Sequence, residues 1–159
     1  MPLKVGDSAP NFELSDIEGN FYSPERVHGK KLLVFYKTTC PTCQLTLPFV
    51  EKLYQLYRNH VSVWGIVQDP EQEAFKFAQK YNLNFPQLID YPGYEVSMEY
   101  RVQVVPTLYL LEEGGGVEFV SNSFVKADLK KLNELLASFA GIPPLDLFAG
   151  QSVPEQKPG

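Results

Sequence analysis

Leu32-Leu33-Val34-Phe35-Tyr36-Lys37-Thr38-Thr39-Cys40-Pro41-Thr42-Cys43 passes directly from an unbroken apolar run to a pair of cysteines. Leu32 to Tyr36 reads as a short strand buried on both faces of a sheet, because no polar residue alternates through it. After the cysteines, Leu45, Phe49, Leu53 and Leu56 recur at helical spacing, predicting a helix from Thr42 to about Asn59. The two cysteines therefore sit at a strand-to-helix junction. Such a junction brings the first thiol to a helix N-terminus, where unpaired N–H groups and the dipole favour the thiolate. Pro41 suits the first helical position, since its missing N–H loses nothing there. Cys43, one turn on and more buried, is placed to resolve a mixed disulfide by attacking Cys40.

Working outward, Asn11 to Leu14 and Phe21 to Ser23 flank Glu18-Gly19-Asn20 and read as an N-terminal β-hairpin. A second strand is expected at Val61 to Val67, then a helix from Glu71 to Tyr81 with Ala74, Phe77, Ala78 and Tyr81 on one face. Gln87-Leu88-Ile89 is a short strand, and Glu95 to Tyr100 a helical turn or two. Thr107 to Leu111 and Val117 to Val120 flank Gly114-Gly115-Gly116 as an antiparallel hairpin. The last helix, Lys126 to Phe139, presents Leu129, Leu132, Leu136 and Phe139 to the core. Strands alternating with helices, closed by a hairpin and a helix, make an α/β architecture with a mixed central sheet flanked by helices. Residues 1–141 are expected to form one domain, and the Pro/Gly-rich stretch 142–159 a partly disordered tail.

Composition narrows the function. The 159 residues are 44% hydrophobic and 21% charged, enough for one domain with a substantial core. Fourteen Lys+Arg against nineteen Asp+Glu give a net charge of -5, and no basic run is present, which argues against nucleic-acid binding. No apolar stretch approaches the ~18 residues of a membrane span. Met1 to Asp7 lacks the apolar core of a secretory signal, so the chain reads as cytoplasmic; a sequence trimmed of its export signal reads as periplasmic or otherwise extracytoplasmic. Two cysteines three positions apart exclude a disulfide framework. With only His28 and His60 to join them, and neither spaced to do so, no metal site is expected.

These features resemble the thioredoxin superfamily, and within it the TlpA/ResA-like, AhpC/TSA-related redoxin branch, over roughly Gly6 to Gly141. Beyond the strand-CxxC-helix unit, the resemblance rests on Gly6-Asp7-Ser8-Ala9-Pro10-Asn11-Phe12-Glu13-Leu14 and Asp16-Ile17-Glu18-Gly19. Pro48, Phe85-Pro86, Asp90, Tyr100-Arg101-Val102 and Val105-Pro106-Thr107 complete it. It implies a thioredoxin fold with a βα insertion, around Gln68 to Asp90, ahead of a cis-proline at Pro106. It further implies catalytic roles for Cys40 and Cys43, and a substrate edge formed by Val105, Pro106, Thr39, Pro41 and Thr42. The Val105 N–H and C=O would pair, strand-like, with an extended substrate segment.

Three family positions differ. The Asp six residues before the first Cys is Val34, the Glu three residues after the second is Thr46, and the Trp preceding the first is Thr39. Acid–base help for Cys43 would have to come from water, Lys37, Thr46 or the substrate, so Lys37 and Thr46 are candidate tuning residues. Without those carboxylates to oppose a thiolate, the couple is expected to be more oxidising than thioredoxin's, at about -270 mV. Trp64 is read as core. The reading is a thiol–disulfide oxidoreductase that exchanges the Cys40–Cys43 pair with protein thiols and disulfides. It would be a monomer with no cofactor, and an upstream reductant or oxidant would reset it. A peroxiredoxin would need Pro and Thr seven and three residues before its reactive Cys; counting from Cys40 these are Leu33 and Lys37, and from Cys43 they are Tyr36 and Cys40. A metal carrier or non-catalytic binding module is the remaining alternative.

Overall fold

The computed structural model describes all 159 residues. Its centre is a five-stranded mixed sheet of β3 (Lys30–Tyr36), β4 (Val61–Val67), β5 (Gln87–Ile89), β6 (Thr107–Leu111) and β7 (Val117–Asn122), in the order β5-β4-β3-β6-β7. β3 pairs in parallel with β4, and β4 with β5, while β6 runs antiparallel to both β3 and β7. The apolar run thus becomes the central strand. Leu32, Val34 and Tyr36 enter one core cluster, while Leu33 and Phe35 enter a second cluster on the opposite face. Two-sided burial explains why the strand shows no polar alternation.

On the first face lie α1 (Pro41–Tyr57), α2 (Glu71–Lys80) and α4 (Lys126–Ala140), which contribute Leu47, Leu53, Phe77, Leu132 and Leu136 to that cluster. The second face is covered by the short α3 (Glu95–Glu99) and the N-terminal segment, through Val96, Leu3 and Phe12. Trp64 is buried edge-on against Phe12 and Tyr22, as a core residue. The N-terminal hairpin is β1 (Leu14–Ser15) with β2 (Phe21–Tyr22), its turn closed by Asp16 accepting from the N–H of Glu18 and of Asn20, both at 2.9 Å. Asp90 holds α3 in place by accepting from the Val96 and Ser97 N–H groups at 3.1 and 2.8 Å.

Residues 142–159, expected to be partly disordered, pack against this body instead. Leu147 and Phe148 are buried, and the Phe148 ring lies 4.8 Å from Phe49 and 6.4 Å from Phe124, centroid to centroid. The chain then returns as β9 (Gln156–Lys157), antiparallel to β8 (Phe124–Val125). Pro and Gly make up six of the eighteen residues of this stretch. Two apolar side chains and an edge strand in need of a partner are enough to order it.

Candidate active site

Cys40 is the N-cap of α1, with extended backbone at φ -87°, ψ 117°, and Pro41 takes the first helical position. The N–H of Cys43 points back into the cap and donates to Cys40 Sγ at 3.2 Å. Cys40 is partly exposed and Cys43 fully buried, both as free thiols. Burial pushes the Cys43 thiol far above the ordinary cysteine range; its contact with the Cys40 side chain adds to this, and a backbone hydrogen bond from Lys37 works against it. The pair is therefore asymmetric: one sulfur within reach of solvent at a helix start, the other held protonated in the core.

Opposite the pair, the Val105-Pro106 bond is cis, and the Cys40 thiol faces the Val105 carbonyl, Sγ to O 3.6 Å. Val105 is half-buried, and its carbonyl accepts no backbone N–H. Pro106 is buried at the entrance to β6, and its carbonyl accepts from the Ser123 N–H at 2.8 Å. Thr39 and Pro41 are exposed beside Cys40. Cys40, Pro41, Thr39, Val105 and Pro106 thus gather at one end of the sheet. Thr42 lies there too, but it is buried, and its hydroxyl donates at 2.5 Å to the Pro158 carbonyl.

The two candidate tuning residues point elsewhere. Thr46 is buried and its hydroxyl donates to the Thr42 carbonyl one turn back, 2.7 Å, the habit of a mid-helix threonine. Lys37 holds its Nζ over the Tyr94 ring, 5.0 Å from the centroid. Val34 is sealed in the core between β4 and β6.

Sequence reading missed Asp69. Its carboxylate accepts from the Thr38 N–H at 2.8 Å, which pins the turn leading to Cys40. Its negative charge also contributes to holding the Cys43 thiol protonated. A signal for it existed. Asp69 lies just beyond the C-terminal end of β4, which runs parallel to β3, and the carboxyl ends of adjacent parallel strands share one edge. Ser123 and the segment 155–159 were missed as well, with no sequence signal that places them here.

Comparison with known proteins bears on this geometry. A model of the AhpC/TSA family matches residues 5–120. The chain belongs to this family. It is 32% identical over 133 residues to the thiol-disulfide oxidoreductase ResA of Geobacillus thermodenitrificans, covering 81% of this chain and 76% of that protein. It is 33% identical over 121 residues to the thioredoxin-like protein YneN of Bacillus subtilis, covering 73% and 70%. Among solved structures, a thiol:disulfide interchange protein DsbE from Chlorobium tepidum superposes with a TM-score of 0.77 at 24% identity, covering 86% of this chain and 98% of that one. That likeness establishes the thioredoxin fold expected from the sequence. Within the fold, no helix is long and apolar enough to cross a membrane, and no cluster of three or more His, Cys, Asp or Glu side chains could hold a metal ion.

Proposed function

We infer that this AhpC/TSA-family chain is a thiol–disulfide oxidoreductase in which Cys40 is the attacking sulfur and Cys43 the resolving one. The observation that carries the reading is the asymmetry of the pair: Cys43 N–H donates to a partly exposed Cys40 Sγ at 3.2 Å, while Cys43 itself is buried. The Cys40 thiolate attacks one sulfur of a substrate disulfide. A Cys40–substrate disulfide forms, and the other substrate sulfur leaves as a thiolate and takes up a proton. Cys43 then gives up its proton and attacks Cys40 Sγ, forming the Cys40–Cys43 disulfide and releasing the second substrate thiol. The substrate gains two electrons and two protons, and the protein loses them. Run backwards, the same steps oxidise a dithiol, so the partner potentials set the direction.

Residues 1–141 carry this chemistry, with Val105 and Pro106 forming the edge against which an extended protein segment lies and Thr39 and Pro41 flanking it. No cofactor enters the exchange beyond the protein's own disulfide. A second protein, a reductant or an oxidant, resets the pair. We assign the monomeric protein to an extracytoplasmic compartment, where structural disulfides persist and supply substrates; fractionation with the cytosol or elution as a dimer would overturn that assignment. The peroxidase alternative has no support at the site, because the required Pro and Thr positions hold a core leucine and a lysine stacked on Tyr94.

Two variants test the central reading. Cys40→Ser should abolish reduction of a protein disulfide. Cys43→Ser should accumulate a mixed disulfide on Cys40, visible as an adduct on non-reducing gels. Turnover retained by Cys40→Ser would overturn the assignment.

A further inference from the structure

The exchange reading, on which the present proposal rests, requires the edge beside Cys40 to be open to an extended partner segment. That edge is already occupied. The chain leaves the Leu147–Phe148 anchor, passes Val153, and lays residues 155–159 across this end of the molecule. The Lys126 N–H donates to the Glu155 carbonyl at 2.9 Å, and Gln156–Lys157 pairs with Phe124–Val125. The Pro158 carbonyl accepts from the Thr42 hydroxyl inside the CxxC motif. The Gly159 N–H donates to Ser123 Oγ at 3.0 Å.

Gly159 makes the closest approach. A Cβ built on it would overlap the Val105 carbonyl oxygen, lie 2.9 Å from the Val105 carbonyl carbon and 3.4 Å from Ser123 Oγ. That carbonyl oxygen is the same atom that faces the Cys40 thiol. No side chain fits between the segment and Val105, so only a glycine passes this point with the backbone in place.

We propose that residues 155–159 are an internal pseudo-substrate: an extended Glu-Gln-Lys-Pro-Gly segment that sits on the protein-docking edge of the CxxC site and must lift away before a partner disulfide can reach Cys40. The segment also shows the kind of partner this edge takes. Such a partner is an extended strand that pairs with β8, offers a carbonyl to Thr42 and carries glycine where it crosses Val105. The attachment suits a reversible occupant. Pro158 and Gly159 are exposed, and the Lys126–Glu155 ion pair spans 3.8 Å with the Glu155 side chain 82% exposed. The apolar anchor at Leu147 and Phe148 lies outside the segment, so the segment can open without unfolding the domain.

The test uses the reduced full chain, Gly159→Val and a variant lacking residues 155–159. Iodoacetamide alkylation of Cys40 is timed at neutral pH, and reduction of a glycine-containing peptide disulfide is followed alongside it. Both variants should alkylate faster than the full chain, on the order of tenfold if the closed state is favoured by about 1.4 kcal/mol. Both should also lower KM with kcat little changed. A synthetic peptide spanning residues 153–159 should slow the shortened variant again, saturably, whereas the same peptide with valine in place of its last glycine should not. Alkylation rates equal to the full chain's in both variants would overturn the proposal, as would a slowing in both. If the shortened variant fails to fold, Gly159→Val alone decides. Failure of the exchange reading is separately visible: none of the three proteins would then reduce the peptide disulfide, while the alkylation rates would still report whether the segment covers Cys40.

Discussion

At the residue scale, the site departs from its family by exchanging nearby carboxylates for Val34 and Thr46, and the fold brings another one back. Asp69 reaches the active-site turn from the end of β4, holding the Thr38 N–H at 2.8 Å. Its charge opposes ionisation of Cys43, so it works against the step in which Cys43 gives up its proton to resolve the mixed disulfide. Asp69→Asn keeps an oxygen that can accept from Thr38 but removes the charge. Cys43 should then ionise more readily and the mixed disulfide should resolve faster, by up to about tenfold for each ~1.4 kcal/mol of relief. Stopped-flow release of a mixed disulfide preformed on Cys40 measures it; an unchanged or slower release would remove Asp69 from the site's electrostatics. The Thr42 hydroxyl, which could have donated to the Cys40 sulfur, is instead satisfied by Pro158, leaving the Cys43 N–H as the donor to that sulfur.

At the scale of elements, the position of the CxxC helix depends on the close contact between β3, β4 and β5. Gly65 lies opposite Val34 in β3 and opposite Gln87 in β5. A Cβ there would overlap Gln87 Oε1 and lie 3.2 Å from Tyr36 Cε1. Gln87 Oε1 cannot give way freely, because it accepts from the buried Tyr36 hydroxyl at 2.6 Å while Nε2 of the same side chain donates to Phe85 O at 2.9 Å. Gly65→Ala should therefore break a buried polar pair and cost about 1–3 kcal/mol of stability. Urea denaturation reads it directly, and a loss below a few tenths would mean that Gln87 repacks with its partners intact. The spacing of the helices and the apolar strand was visible in the sequence because two-sided burial and amphipathic periodicity are local signals. The pairing of β8 with β9 was not, since α4 separates these short strands and no local turn signal joins them, as Glu18-Gly19-Asn20 does for β1 and β2.

At the scale of the whole molecule, burial sets how stability responds to pH. Desolvation raises Cys43, Tyr36, Tyr57, Tyr100 and Tyr109 above their ordinary values. Unfolded, these groups lose their protons near pH 8.5 for cysteine and 10 for tyrosine. The folded chain keeps its protons to higher pH, so the unfolded state binds fewer of them across that window. Stability is then fully present below about pH 8.5 and falls as pH rises towards the folded-state values, each fully buried group adding a slope of up to about 1.4 kcal/mol per pH unit. Urea midpoints of the reduced protein should fall steadily from about pH 9 to 11, and Cys43→Ala should delay the onset. A flat profile over that range would contradict the burial of these groups.

The sequence by itself determined the fold class, the order of nearly every element, the cysteine pair at the start of a helix and the proline opposite it. All but the proline rest on local patterns; the proline lies far from the cysteines in sequence, and only the family resemblance implied its place opposite them. Tertiary structure alone decided what surrounds the pair. Asp69 arrives from just beyond a neighbouring parallel strand, Ser123 from the bend between β7 and β8, and Pro158 from the segment after β9, because pieces distant in sequence meet only once the sheet is built. It also decided the fate of residues 142–159. Their composition favours solvent, but Leu147 and Phe148 find a core, and the β8 edge finds a strand, only when the rest of the molecule has folded.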